Sequence, residues 1–306
     1  LASARRLLDE EPVFALLSGF VPGAEQELAG LAEREALPLI GPLTLLPREG
    51  EPPNHYVFFL LSGPREQARV LAEYATKELR LEKPRVVILH PGDEGLAEAA
   101  RAARARFQAR GWKRVEIISY ERGRFEPALA EKLKRRGVRV VLFLGNDAEL
   151  AALTGKARTL DWAPYLLLSG SLSARAAVEA PSLFQGRLFL AYPTLPSDEQ
   201  PRAREEFLRL RAGTRATESH RMAQASAYTA TTVLTEALRR SGRQLSRKKL
   251  LEHLEGLYAF ETGLSPPLSY GPNRRVGARG AYVVAVDLET RSFRQVSGWM
   301  DSGDGE

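Results

Sequence analysis

Cysteine is absent from the 306 residues, which excludes disulfides, thiolate metal sites and cysteine nucleophiles. The four histidines, His55, His90, His220 and His253, show no metal-ligand spacing and read as isolated surface or strand-end residues. Asp93 and Glu94 follow an apolar run, where general acids and bases are often placed, but adjacent acids at a helix start are more often caps. No nucleophile elbow, P-loop, dinucleotide fingerprint or metalloprotease helix is present, and the glycine spacing of Gly19-Phe20-Val21-Pro22-Gly23 is wrong for a dinucleotide loop. What remains is positional: five short loops at 18–24, 41–45, 90–94, 145–147 and 169–171 that follow apolar runs. In an alternating α/β sheet, ligands bind outside the C-terminal ends of the strands. The same Gly, Pro, Asn and Ser residues make turns with or without a ligand.

The elements that must position those loops follow from periodicity. Residues 13–17 are apolar enough for a buried strand, and Gly19, Pro22 and Gly23 break it. Residues 24–36 place Leu28, Leu31, Ala32 and Ala36 on one face at helical spacing, and a second apolar run follows. That strand–loop–helix–strand unit makes a right-handed crossover between parallel strands, with the loop facing the free amides of the helix N-terminus. Strands are expected at 55–61, 85–90, 114–120, 138–145, 165–170 and 187–193, separated by helices at 94–110, 126–136 and 147–158, with a further helix after Gly63-Pro64 carrying Leu71, Ala75 and Leu79. This alternation implies parallel sheets covered on both faces. After Pro193 the pattern turns helical, at 198–211, 217–240 and 246–256, with Ser246 as a cap. The C-terminal part reads as strands, with AYVVAVDL and SFRQVSGW as a hairpin.

With 306 residues, two lobes are expected. A content of 44% apolar and 27% charged residues is that of an ordinary globular protein. The net charge of +6 is dispersed, and the densest basic runs, 101–107 and 132–136, read as solvated helix faces rather than a nucleic-acid surface. No apolar run is long enough to cross a bilayer.

The order VFALLSGFVPGAEQELAGLAEREALPLIGPLT, HYVFFLL, RVVILHPGDEGLAEAARA, VRVVLFLG, YLLLSGSLS, and later ASAYTATTVLTEALRRSG, resembles type I periplasmic binding proteins of the branched-chain amino-acid class. The resemblance implies an α/β fold of two Rossmann-like (flavodoxin-like) lobes with mainly parallel sheets. Three crossovers would join them, with 1–63 and 194–270 forming lobe 1 and 64–193 and 271–306 forming lobe 2. It also implies a ligand cleft between the lobes that closes by hinge motion. Members begin with a strand and helix upstream of this starting point, so the first strands of lobe 1 are expected to be missing and lobe 1 to be the weaker lobe.

By the same resemblance the protein is a non-enzymatic, periplasmic or otherwise extracytoplasmic binder that delivers a small molecule to an ABC permease, as a monomer or weak dimer, with no cofactor. A ligand-sensing receptor or protein scaffold on the same fold is the first alternative, and an α/β enzyme using Asp93 the second. The implied ligand residues are Phe20, Val21, Pro22, Gly23, Ala24, Thr44 and Tyr228 in lobe 1, with Asp93, Asn146, Asp147, Ser169 and Ser171 in lobe 2. Amino-acid binders of this class hold the carboxylate with first-loop hydroxyls and amides, and the amine with aromatic and acidic groups of lobe 2. Residues 20–24 carry no hydroxyl, and Asn146 and Gly170 are neither acidic nor aromatic. A less polar or aromatic acid, anchored at Gly23-Ala24 and by Ser169 or Ser171, is therefore expected in place of a conventionally held α-amino acid. A shift of a residue or two would bring in Asp93 or Asp147 instead.

Overall fold

The computed structural model describes residues 2–10, 12–47, 53–214, 217 and 220–303. The chain divides into two units, Leu1–Ser62 with Thr194–Ala278, and Gly63–Pro193 with Arg279–Glu306.

Unit 1 contains α1 (Ala2–Glu10), β1 (Leu16–Leu17), α2 (Glu25–Arg34), β2 (Leu39–Ile40) and β3 (Val57–Leu61), then α8 (Pro201–Ala212), α9 (Arg221–Ser241), α10 (Arg247–Glu255) and β9 (Val276–Ala278). Its sheet runs β1-β2-β3-β9 with every neighbour parallel. The last change of unit falls after Ala278 rather than at Tyr270, because β9 pairs with β3. The first strand is shorter than the apolar run 13–17, and its burial is incomplete. Helix α2 buries Leu28, Leu31 and Ala32 against Leu39, Val57 and Phe59. Ala36 is a correction: it lies beyond the helix, exposed, with φ at +46°, where the chain reverses into β2. Helix α9 packs on β1, β2 and β3.

Two arginines stitch this unit. Arg275, 1% exposed, donates through Nε to the Asn54 carbonyl at 2.8 Å and through Nη1 to the Gly271 carbonyl. Its Nη2 reaches Glu255 Oε1 at 2.6 Å, and the guanidinium lies 4.7 Å from the Phe58 ring centroid. A buried guanidinium is tolerated only when its donors are met in this way. Arg247, at the start of α10, donates to the carbonyls of Val13, Phe14 and Glu35 at 2.5, 3.1 and 3.0 Å. Ser246 caps α10 by accepting from the Lys249 amide at 3.2 Å.

Unit 2 begins with α3 (Pro64–Glu78) and continues β4 (Arg85–Pro91), α4 (Glu94–Ala109), β5 (Val115–Tyr120), α5 (Leu129–Arg135), β6 (Val138–Phe143), α6 (Asp147–Thr159), β7 (Tyr165–Ser169), α7 (Gly170–Val178) and β8 (Leu188–Tyr192). It ends with β10 (Gly280–Asp287), β11 (Ser292–Gln295) and β12 (Met300–Asp301). The order is β11-β10-β8-β7-β6-β4-β5, parallel from β8 to β5, with β10 antiparallel to both β8 and β11. Consecutive residues point to opposite faces of a strand, so the unbroken buried runs 86–91 and 166–169 show both faces covered. Helix α3 contributes by packing on α4, β7, β8 and β10.

Candidate functional site

In unit 1 the loop after β1 starts at Ser18, whose φ of +52° is uncommon for a residue with a side chain. The Ser18 amide donates to the Ile40 carbonyl at 2.9 Å, and its buried Oγ has no hydrogen-bond partner. Loops 18–24 and 41–45 are laced together by a bridge between Phe20 and Leu43, with Val21 N to Leu43 O at 3.0 Å and Leu43 N to Gly19 O at 2.8 Å. Gly23, with φ at +77°, and the Ala24 amide bonded to the Val21 carbonyl at 3.1 Å turn the chain into α2. Gly41 also needs its missing side chain, since a Cβ there would lie 2.6 Å from the Ala230 Cβ of α9.

The polar group at this loop is one that the sequence reading missed. Thr44 Oγ1 donates to Glu25 Oε1 at 2.5 Å and accepts from the Leu46 amide at 2.9 Å. Glu25 opens the first turn of α2, where backbone amides favour a negative charge. An acidic residue in a helix's first turn is the signal that could have found it. Around it the loop is apolar: Phe20 is 81% exposed and Leu45 is exposed as well. Tyr228, on α9, donates to Glu206 Oε2 at 3.2 Å and meets the Phe207 ring edge-on. Burial and then Glu206 raise its phenol above the usual range. No hydrogen bond or ring contact among the described residues ties Tyr228 to either loop.

In unit 2, Asp93 precedes α4 without capping it and holds Arg122 through Nε, at 3.2 and 3.3 Å, and Nη2, at 2.8 Å. Asn146 caps α6 by accepting from the Glu149 amide at 3.0 Å, while Glu149 Oε2 accepts the Asn146 amide at 2.9 Å and the Tyr120 hydroxyl at 3.0 Å. Burial, with Glu149 second, pushes the Tyr120 phenol well up. A Cβ at Gly145 would collide with Tyr120, Phe143 and Glu149, so glycine is what lets this cluster close. Asp147 accepts the Ala176 amide of α7 at 2.8 Å. Ser169 is wholly buried and donates to Gln67 Oε1 at 2.6 Å, while Gln67 Nε2 donates to the exposed Ser171 at 3.2 Å. Burial, with Asp147 next, pushes the Tyr192 phenol to about 12, and Gly170 is pressed against the Tyr192 ring.

The expected residues thus fall into two kinds. Asn146, Asp147 and Ser169 have their polar groups engaged in building the loops, and Asp93 is neutralised by Arg122. Phe20, Pro22, Gly23 and Ser171 are exposed, whereas Val21 is half-buried and packs against the unit 1 core. The sequence reading passed over Tyr120, Arg122, Glu149 and Tyr192, although Tyr120 and Tyr192 close the strands β5 and β8. Among the described residues no group of three His, Cys, Asp or Glu could hold a metal ion, and no helix is long and apolar enough to cross a membrane.

No curated protein matches the chain. Among solved structures the chain is similar to a branched-chain amino-acid ABC transporter protein from Thermus thermophilus with bound valine, at 18% identity and a TM-score of 0.75, covering 98% of this chain and 81% of that one. It is also similar to an ABC transporter substrate-binding protein from Desulfitobacterium hafniense in complex with Leu, at 19% identity and 0.72, covering 96% and 84%. A fatty acid ABC transporter substrate-binding protein from Thermomonospora curvata matches at 13% identity and 0.73, covering 98% and 78%. At such identities these likenesses speak for the fold, a periplasmic-binding-protein type I arrangement of open, mainly parallel sheets. The family model described as periplasmic binding protein matches residues 1–292, and the chain therefore belongs to the periplasmic binding protein family.

Proposed function

We propose that this protein captures a small organic solute at its strand-end loops, outside the cytoplasm, and delivers it to the permease of an ABC importer. The observation that carries the proposal is the family match over residues 1–292, in a family of solute binders rather than enzymes. That membership disfavours a catalytic role for Asp93, whose carboxylate is in any case engaged with Arg122. Support from the geometry comes from the open apolar loop at Phe20, since a ligand that loses water against an exposed ring gains free energy in proportion to the area covered. Of the similar proteins, one holds valine, one is in complex with Leu and one is a fatty acid ABC transporter substrate-binding protein, so amino acids and carboxylic or aromatic acids form the first set to screen.

The test is a thermal-shift screen of small metabolites on the purified chain. A true ligand present at about a hundred times its Kd adds about 2.7 kcal/mol to stability, which is readily seen in Tm. Failure of any small solute to stabilise the protein, with a protein partner captured instead, would replace this reading by that of a sensing or scaffolding domain.

A further inference from the structure

Resting on the solute-binding reading, we propose that the unit 1 loop receives an organic ammonium group, with Glu25 as its counter-charge and Phe20 as its apolar wall. The polar inventory of the loop argues against an anion. The amides of Val21, Ala24 and Leu43 donate to carbonyls within the loops, and the Leu46 amide donates to Thr44. The Thr44 hydroxyl, the natural donor for a ligand carboxylate, donates its hydrogen bond to Glu25 instead. The protein's own carboxylate therefore already stands at the N-terminus of α2, where an incoming anion would have to bind. A second negative charge would meet repulsion there that solvent only partly screens.

A cation finds the opposite situation. Glu25 Oε1 is held by Thr44, Oε2 takes no hydrogen bond among the described residues, and no cationic side chain among them pairs with it. The carboxylate is half-buried and tethered. An N⁺–H donor would thus make a charge-assisted hydrogen bond to a pre-placed acceptor. Phe20, 81% exposed on the bridged loop, offers a ring face to the charge or to the apolar body that carries it. This narrows the ligand to amines, or to amino acids held at this loop by the amine, and disfavours simple carboxylic acids.

Calorimetric titration of the whole chain with two matched probe sets tests it. One set is 2-phenylethylammonium, phenylalanine and 3-phenylpropionate. The other is isoamylammonium, leucine and 4-methylpentanoate. The expected result is binding by an ammonium-bearing member and silence from the carboxylate of the same set. Glu25→Gln should weaken that binding about tenfold or more, and Phe20→Ala should weaken it independently. The glutamine keeps the acceptor for Thr44, and Phe20 is a surface ring, so one variant remains interpretable should the other misfold. Binding of a carboxylate member that Glu25→Gln leaves unchanged or tightens overturns the proposal, as does amine or amino-acid binding indifferent to Glu25→Gln. Silence of both sets overturns it too. In each of these cases the solute-binding reading survives if any solute in the wider metabolite screen stabilises the protein, and falls only if none does.

Discussion

The two units solve the same problem, a parallel sheet under helices, with different means. In unit 2 the ladder itself is long: β4 spans seven residues, β6 six and β10 eight, and their side chains are almost all buried. In unit 1, β1 and β2 are two residues each and β9 three. There the backbone carbonyls of connecting segments are gathered by the guanidinium groups of Arg247 and Arg275. The difference teaches that one unit is held by apolar area and the other leans on a few charged nodes, of which the buried Arg275 is the costlier to remove because its loss leaves its acceptors unmet.

The comparison can be broken most decisively in the core of unit 2. Leu142→Ala, at a fully buried position of β6, should cost about 4 kcal/mol. All three tryptophans, Trp112, Trp162 and Trp299, lie in unit 2, so the loss should appear as an earlier fluorescence transition. Next comes Arg275→Ala, expected to destabilise unit 1 by about 3 kcal/mol and to speed hydrogen exchange in β3 and β9. If the tryptophan transition moves by the same amount, the units unfold as one and the contrast dissolves. Without any substitution, amides of β2 should exchange faster than those of β4 and β6; equal protection would contradict the idea of a weaker unit 1. Arg247→Ala, at a more exposed site, should cost about 1–2 kcal/mol.

Much of this contrast is legible in the sequence and some is not. The apolar runs 85–90 and 138–145 announce buried parallel strands because near-continuous Val, Ile and Leu leave no polar face. The run 13–17 has the same look, yet only Leu16 and Leu17 pair, since a strand's length depends on the neighbour it finds rather than on its own composition. At the candidate loops, position is legible and chemistry is not. Thr44 reads as a free hydroxyl until Glu25, nineteen residues away, is seen to accept its hydrogen bond. Ser169 reads as a ligand anchor until Gln67 is found beneath it. Side-chain pairings across such separations leave no periodic trace.

The smallest expected effect sharpens the contrast through pH. In unit 1, bonds from Arg221 hold the Glu199 carboxyl below the usual range against the opposing effect of burial. In unit 2, burial raises Glu73, but the hydrogen bonds and charges of Arg110 and Lys77 outweigh it and leave it lowered. A lowered folded pKa means stability present above the ordinary glutamate value and lost as pH falls through the lowered one. Acid titration should therefore weaken each unit by up to about 1 kcal/mol through its own residue. Glu199→Gln should flatten the acid limb seen by exchange in unit 1 and leave the tryptophan transition unmoved, and Glu73→Gln should do the reverse. A shared response to both would mean that neither carboxylate acts locally.

The reversed strand β10 has a consequence for synthesis. It sits between β8 and β11 and lies against α3, so the sheet that begins with residues 63–91 cannot complete its order until residues 280–295 have left the ribosome. At about 5–20 residues per second that is a wait of about 10–40 s during which the nascent chain lacks its closing partner. Such a delay leaves the edge of β8 open, at the risk that it finds another strand first.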